Sequence, residues 1–248
     1  MKLLLKVRNV MVLAMAALAM QSCLKDDEYD YSIMMPNALV TVKTDADNKM
    51  FLQLDDETTL LPVNITESPY DGKEVRALVN YEEVEEPSAS HTKAVHINWM
   101  DSILTKKLIE PLADENEMNE IYGNDPVEIV NDWVTIAEDG YLTLRFRTSW
   151  GGNPGVKHFV NLIATDKDNY VVEFRHNAYG DVYGHMADAL VAFKLDELLP
   201  DTNGETVKLT LKWKSFSGDK SHEFDYCSRK STEASPALTK TRTSAFVK

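Results

Sequence analysis

The groups with reactive or metal-ligating potential in this 248-residue sequence are six histidines, two cysteines and 40 aspartates and glutamates. His91, His96, His158, His176, His185 and His222 form no His-x-Glu-x-x-His spacing, and there is no Cys-x-x-Cys. His176, Asp181 and His185 lie within ten residues of one another, around the loop Asn177-Ala178-Tyr179-Gly180. Such a loop can gather imidazoles and a carboxylate around a metal, but a polar surface loop is the plainer reading, and no metal site is expected. Serine, histidine and aspartate are all present without a Gly-x-Ser-x-Gly elbow, and Ser215-Phe216-Ser217-Gly218-Asp219 reads as a hairpin turn. Glu82, Glu83, Glu85 and Glu86 cluster without EF-hand spacing. They read as a solvated strand end that discourages edge pairing. The expectation is a non-enzymatic protein without a cofactor.

Binding chemistry has better candidates. Trp150 sits in the glycine-rich stretch Ser149-Trp150-Gly151-Gly152-Asn153-Pro154-Gly155. It is either an exposed anchor for a ligand or a lid folded over a domain end. Arg145 and Arg147 share one strand face, as do Lys208, Lys212 and Lys214. If those two faces coincide, an acidic protein carries a basic stripe suited to an acidic glycan or protein. The competing reading is a solvated outer face with cross-strand partners such as Glu173.

The net charge of −14 argues against nucleic acid, whose phosphates need a basic face. With 44% hydrophobic and 27% charged residues, the composition is that of a folded protein. Lys2, Lys6 and Arg8 precede an apolar run from Val10 to Met20, which is too short for a bilayer span and suits a secretory signal. The run ends at Gln21-Ser22-Cys23, a small residue before cysteine, as a bacterial lipoprotein signal peptidase requires. Cys23 is therefore expected to be the acylated first residue, with 1–22 as the lipoprotein signal peptide. Lys25, Asp26, Asp27 and Glu28 follow it as an acidic surface-export signal within a tether of residues 23–36. Losing three positive charges with the signal takes the net charge to −17.

The positioning elements are strands. Period-two alternation at Ala38–Lys43, Val75–Tyr81 and Val95–Trp99, broken by turn residues, predicts an OB-like five-stranded barrel over 37–109. Residues 110–125 hold six acids and no lysine or arginine, and read as an acidic linker with one helical turn. Alternation returns at Leu142–Arg147, Phe159–Ala164, Tyr170–Phe174 and Val207–Lys214, and predicts an antiparallel β-sandwich of about seven strands over 126–228. Trp99 and Trp213 are expected in the core, and Leu190–Leu195 suits strand or helix. Residues 229–248 lose apolar periodicity and are expected to be a disordered basic tail. The fold class is all-β.

Three stretches in order, Pro36–Lys43 with Phe51–Asp56, Tyr122–Pro126 and Leu209–Trp213, resemble the NigD-like lipoproteins of Bacteroidetes. Glu74–Tyr81 and Leu142–Arg147 add to the resemblance, which spans residues 36–228. It implies an N-terminal OB-like domain and a C-terminal β-sandwich, and brings no catalytic residues. The expected function is a lipid-anchored, surface-exposed outer-membrane protein that binds an envelope protein or glycan. A bacteriocin-associated immunity lipoprotein, suggested by the family name, and a structural envelope subunit are the alternatives.

Overall fold

The computed structural model describes residues 31–85 and 91–229. A short 3-10 helix at Tyr31–Met34 belongs to a separate unit that ends at Met35. From Pro36 onward the barrel and the sandwich fall in one compact unit.

The barrel is built from β1 (Ala38–Thr44), β2 (Met50–Gln53), β3 (Thr59–Pro62), β4 (Val75–Val84) and β5 (Lys93–Ser102). It closes in the order β1-β2-β3-β5-β4, with β3 and β5 parallel. The alternation explains the filling. Val40, Val42, Leu52, Leu60, Ala77, Val79 and Val95 point inward and have no exposure. Closure leaves no free sheet edge in this domain.

The second domain adds β6 (Leu104–Lys107), α1 (Glu115–Tyr122), β7 (Glu128–Val130), β8 (Ile136–Glu138), β9 (Tyr141–Gly151), β10 (Phe159–Asp166), β11 (Val171–Asn177), β12 (Gly184–Lys194), β13 (Val207–Ser215) and β14 (Gly218–Tyr226). One sheet runs β10-β11-β13-β14. The other runs β6-β12-β9-β7, with β8 also on β9. Leu142, Leu144 and Phe146 of one sheet meet Leu162, Phe174, Leu209 and Leu211 of the other in a single core.

Several details differ from the sequence reading. Nine strands, not about seven, form the sandwich among the described residues. Two pairings, β11 with β13 and β12 with β6, are parallel. Strand β6, placed with the barrel by the 37–109 boundary, pairs with β12. Short strands such as β6, β7 and β8 lack the length to show a period. Leu190–Leu195 resolves as strand through Lys194. Trp213 is buried, whereas Trp99 is only half-buried.

The acidic stretch 110–125 carries a two-turn helix where one turn was expected. Asp114 caps α1 by accepting the backbone N–H groups of Asn116 and Glu117. Glu115 and Glu117 favour the positive end of the helix dipole. From β11, the buried Arg175 donates to Glu115 and Asn119 and docks the helix on the sandwich. The helix ends at Gly123, φ +79°, where a Cβ would collide with the His176 carbonyl oxygen. Glycine is required there by both backbone angle and space.

The outer face of the five-stranded sheet is partly covered by the barrel. Leu39 and Ile103 pack with Val134, Tyr141 and Ala192. Arg76 of β4 has no exposure and donates to Thr41, Thr143 and Glu138. Arg229 lies 4.9 Å from the Tyr141 ring centroid and binds Glu74 and Asp139. The residue that opens the expected 229–248 tail is thus held at the domain junction. Residues 230–248 lie outside the described residues.

Candidate functional site

Two sites emerge, a surface groove and a buried polar cluster at one end of the sandwich. The groove lies against the outer face of the four-stranded sheet. Outward-facing positions of β11, β13 and β14 alternate with the core, so the same period that buries Leu209, Leu211 and Trp213 exposes Lys208, Lys212 and Lys214. The β13–β14 hairpin and α1 raise its walls. The cavity measures about 460 Å³ and is lined by Glu115, Glu173, Arg175, Lys212, Lys214 and Asp219 among others. Glu115 and Glu173 are engaged by Arg175. Lys212 and Lys214 make no ion pair among the described residues, although Asp219 stands opposite Lys214 in the hairpin register. Lys208 is paired with Asp225, and its cross-strand carboxylate holds its ammonium above the usual lysine range.

The basic stripe does not form. Arg145 and Arg147 project from β9, on the other sheet, where both bind Asp188 and Arg145 also binds Asp132. The two outer faces of a sandwich point in opposite directions, so these arginines and Lys208, Lys212 and Lys214 cannot share a surface. Hydrogen bonds from Arg147 and Arg145 keep the Asp188 carboxyl below its ordinary range.

Trp150 is not a free anchor. Positions 142, 144, 146, 148 and 150 of β9 share the inward face, and Trp150 closes that row at the sandwich end. Its ring stacks on His158 with centroids 4.1 Å apart, and its indole N–H donates to the Ala187 carbonyl at 2.8 Å.

Under Trp150 lies a cluster that the sequence reading found only in part. His158 Nδ1 and His176 Nε2 are 2.9 Å apart, and His158 Nε2 is 3.2 Å from Asp181 Oδ2. The side chains of His158 and Asp181 are 1% and 2% exposed, and His176 is 1% exposed. Asp181 also accepts the backbone N–H groups of Gly151 and Asn153. Burial alone would raise its carboxyl. The N–H donors and the His158 ring outweigh that effect and hold it below the ordinary value. Burial, reinforced by His158, pushes the His176 imidazole down to about 4. His185, expected beside His176 and Asp181, sits opposite Trp150 in the β9–β12 ladder with its side chain exposed. His158, which was not singled out, takes its place. Its parity with Val160 and Leu162 on β10 was the available signal. Among the described residues no group of three His, Cys, Asp or Glu side chains is arranged to hold a metal ion.

Other candidates take plain roles. Glu83 pairs with Lys93 at the end of β4, and Ser215 to Gly218 closes the β13–β14 turn. Half-buried Cys227 lies 3.6 Å from the Thr202 hydroxyl. Cys23, Lys25, Asp26, Asp27, Glu28 and Glu86 lie outside the described residues.

Together, these features define an all-β protein in which a closed OB-type barrel rides on a β-sandwich. Residues 39–103 match the NigD-like N-terminal OB domain, and residues 109–226 match the NigD-like C-terminal beta sandwich domain. The chain belongs to the NigD-like family. A protein of Parabacteroides distasonis described as toxin-related is 36% identical over 77% of this chain and 92% of its own, with a TM-score of 0.62. A NigD-like immunity protein of Bacteroides caccae is 23% identical over 77% of this chain and 96% of its own, with a TM-score of 0.53. A Bacteroides fragilis protein described as a lipoprotein is 12% identical over 79% of this chain and 99% of its own, with a TM-score of 0.51. The last two share the fold. No curated protein matches this chain.

Proposed function

We propose that this protein is a lipid-anchored, surface-exposed envelope protein, acylated at Cys23, that binds an anionic segment of a protein or glycan without catalysis. The carrying observation is the groove on the four-stranded sheet, where Lys212 and Lys214 project without ion-pair partners among the described residues, in a chain of net charge −14. Such local contrast selects for an anionic group, because repulsion elsewhere on the surface disfavours other docking geometries. The groove opens to solvent, which suits part of a polymer better than an enclosed small molecule. The anchor reading rests on Val10–Met20 with Ser22-Cys23, and the lipoprotein of similar fold agrees with it.

The test combines lipid labelling with capture. Wild type, Cys23→Ala and Lys212→Glu/Lys214→Glu are crosslinked in cells, and the purified chains are screened against acidic and neutral glycans. The expected result is lipid incorporation lost only in Cys23→Ala, and capture of an acidic glycan or protein lost in the double lysine variant at unchanged Tm. Capture that survives both charge reversals would overturn the groove as the binding site. An unlabelled wild-type chain would overturn the anchor. A second reading, immunity, is suggested by the name of the Bacteroides caccae protein of similar fold, and it predicts that deletion sensitises cells to neighbouring strains.

A further inference from the structure

The two loops at the sandwich end, β9–β10 and β11–β12, carry their most exposed apolar side chains at Tyr179, Val182 and Tyr183, with Met186 following on β12. Beneath them the backbone is closely fastened. A Cβ on Gly152 would overlap the Tyr183 carbonyl, so the two loops touch main chain to main chain. Tyr179 holds φ +49°, a left-handed conformation that a bulky side chain adopts only when its surroundings impose it. The turn around it is closed locally, by the Asp181 N–H on the Ala178 carbonyl and the Tyr179 N–H on the Asn177 side chain, and the Asp181 carboxylate then accepts from Gly151 and Asn153 across the loop gap. Asp181 is in turn tied through His158 to His176 on β11.

We propose that the His176–His158–Asp181 cluster is an acid-operated clasp, which fastens the two loops at neutral pH and frees them when both imidazoles are protonated. The proposal does not rest on the groove reading.

With Asp181 ionised, His158 Nε2 carries a hydrogen and donates it to the carboxylate. With both rings neutral, the hydrogen in the 2.9 Å gap between His158 Nδ1 and His176 Nε2 is carried by His176 and donated to His158. One additional proton on the ring pair leaves that bond intact and balances Asp181. A second turns both facing nitrogens into N–H donors, so the bond is lost and two positive charges face one carboxylate. The second proton therefore opens the clasp. The depressed His176 imidazole agrees with that order. Asp125 favours the charged His176 ring, but burial and His158 outweigh it. Phe146 and Trp150 pack on the pair from β9 and carry no charge. From the segment before β7, the Asp125 carboxylate is held by the Ala178 N–H, and its own backbone N–H by the His176 carbonyl.

NMR on the full-length chain, titrated from pH 7 to 3.5, tests this by following the His158 and His176 rings, the Gly151 and Asn153 amides, and the Leu162 amide in the core. The expected result is that the Gly151 and Asn153 amides lose their native shifts as His176 protonates, with a midpoint near pH 4, while Leu162 stays native. In His176→Gln, which keeps a neutral hydrogen-bonding side chain beside His158, both loop amides should hold their shifts to the lowest pH. The idea fails if Gly151 and Asn153 do not move when His176 protonates, if Leu162 melts with them, or if His176→Gln opens at the same pH. Should that variant not fold, the wild-type coincidence of ring and amide midpoints decides alone.

Discussion

The guanidinium of Arg76, on the fourth strand of the barrel, donates to the carboxylate of Glu138, on the eighth strand, in the sandwich, and is itself wholly excluded from solvent. Thr41 and Thr143 take two further donors of the same fork, one from each domain. One side chain thereby links two domains through hydrogen bonds that water cannot replace. Burial raises the Glu138 carboxyl above its ordinary value, and Arg76 only partly offsets this. Arg76→Met should lower unfolding stability by about 3 kcal/mol, because it leaves Glu138 buried without its cation. Arg76→Met/Glu138→Leu should recover much of that loss. Urea unfolding of the four combinations gives the coupling energy, and strict additivity would show that the pair is not coupled.

Arg229 supplies a second prediction, about the domain junction. It sits over Tyr141 and binds Asp139 and Glu74, so its side chain belongs to the junction. A chain truncated after Arg229 should keep the Tm of the full chain. Truncation after Ser228 should cost about 2 kcal/mol, since it removes a partly buried charge from two carboxylates. Thermal unfolding of the two truncations differs by that one residue, and equal Tm values would remove Arg229 from the junction.

Glu74 supplies a pH dependence of definite sign. Burial works to raise its carboxyl, but Arg229 and the Tyr141 hydroxyl hold it below the ordinary value of 4.5. The folded state therefore binds this proton less readily than the unfolded chain. Its contribution is complete above the ordinary value and is lost as pH falls through the lower folded value. The stability gap between wild type and Glu74→Gln should be largest at pH 7 and close toward pH 3. A gap independent of pH would show that the charge of Glu74 does not matter.

How much of this was legible is clearest in three places. Alternation from Leu142 to Arg147 was readable, and following it on to Trp150 places that side chain on the inward face, packed against the core. The same parity places His158 with Val160 and His176 with Phe174. Only the pairing of β10 with β11, and the packing of β9 across from them, shows that the three rings meet. The acid-rich 110–125 stretch concealed a helix because its docking partner, Arg175, lies more than 50 residues later.

The sequence by itself determined the all-β class, the position of most long strands, the hairpin turns at Asp166–Asn169 and Ser215–Gly218, and membership of the NigD-like family. These are local properties, since a period of two is set by neighbouring residues and turn chemistry by a few side chains. Tertiary structure alone decided which sheet each strand joins. That put Arg145 and Arg147 on one outer face and Lys208, Lys212 and Lys214 on the other, and it exchanged His185 for His158 beside His176 and Asp181. A strand's alternation tells which residues share a face, but the sheet that holds the face depends on hydrogen-bond partners distant in sequence.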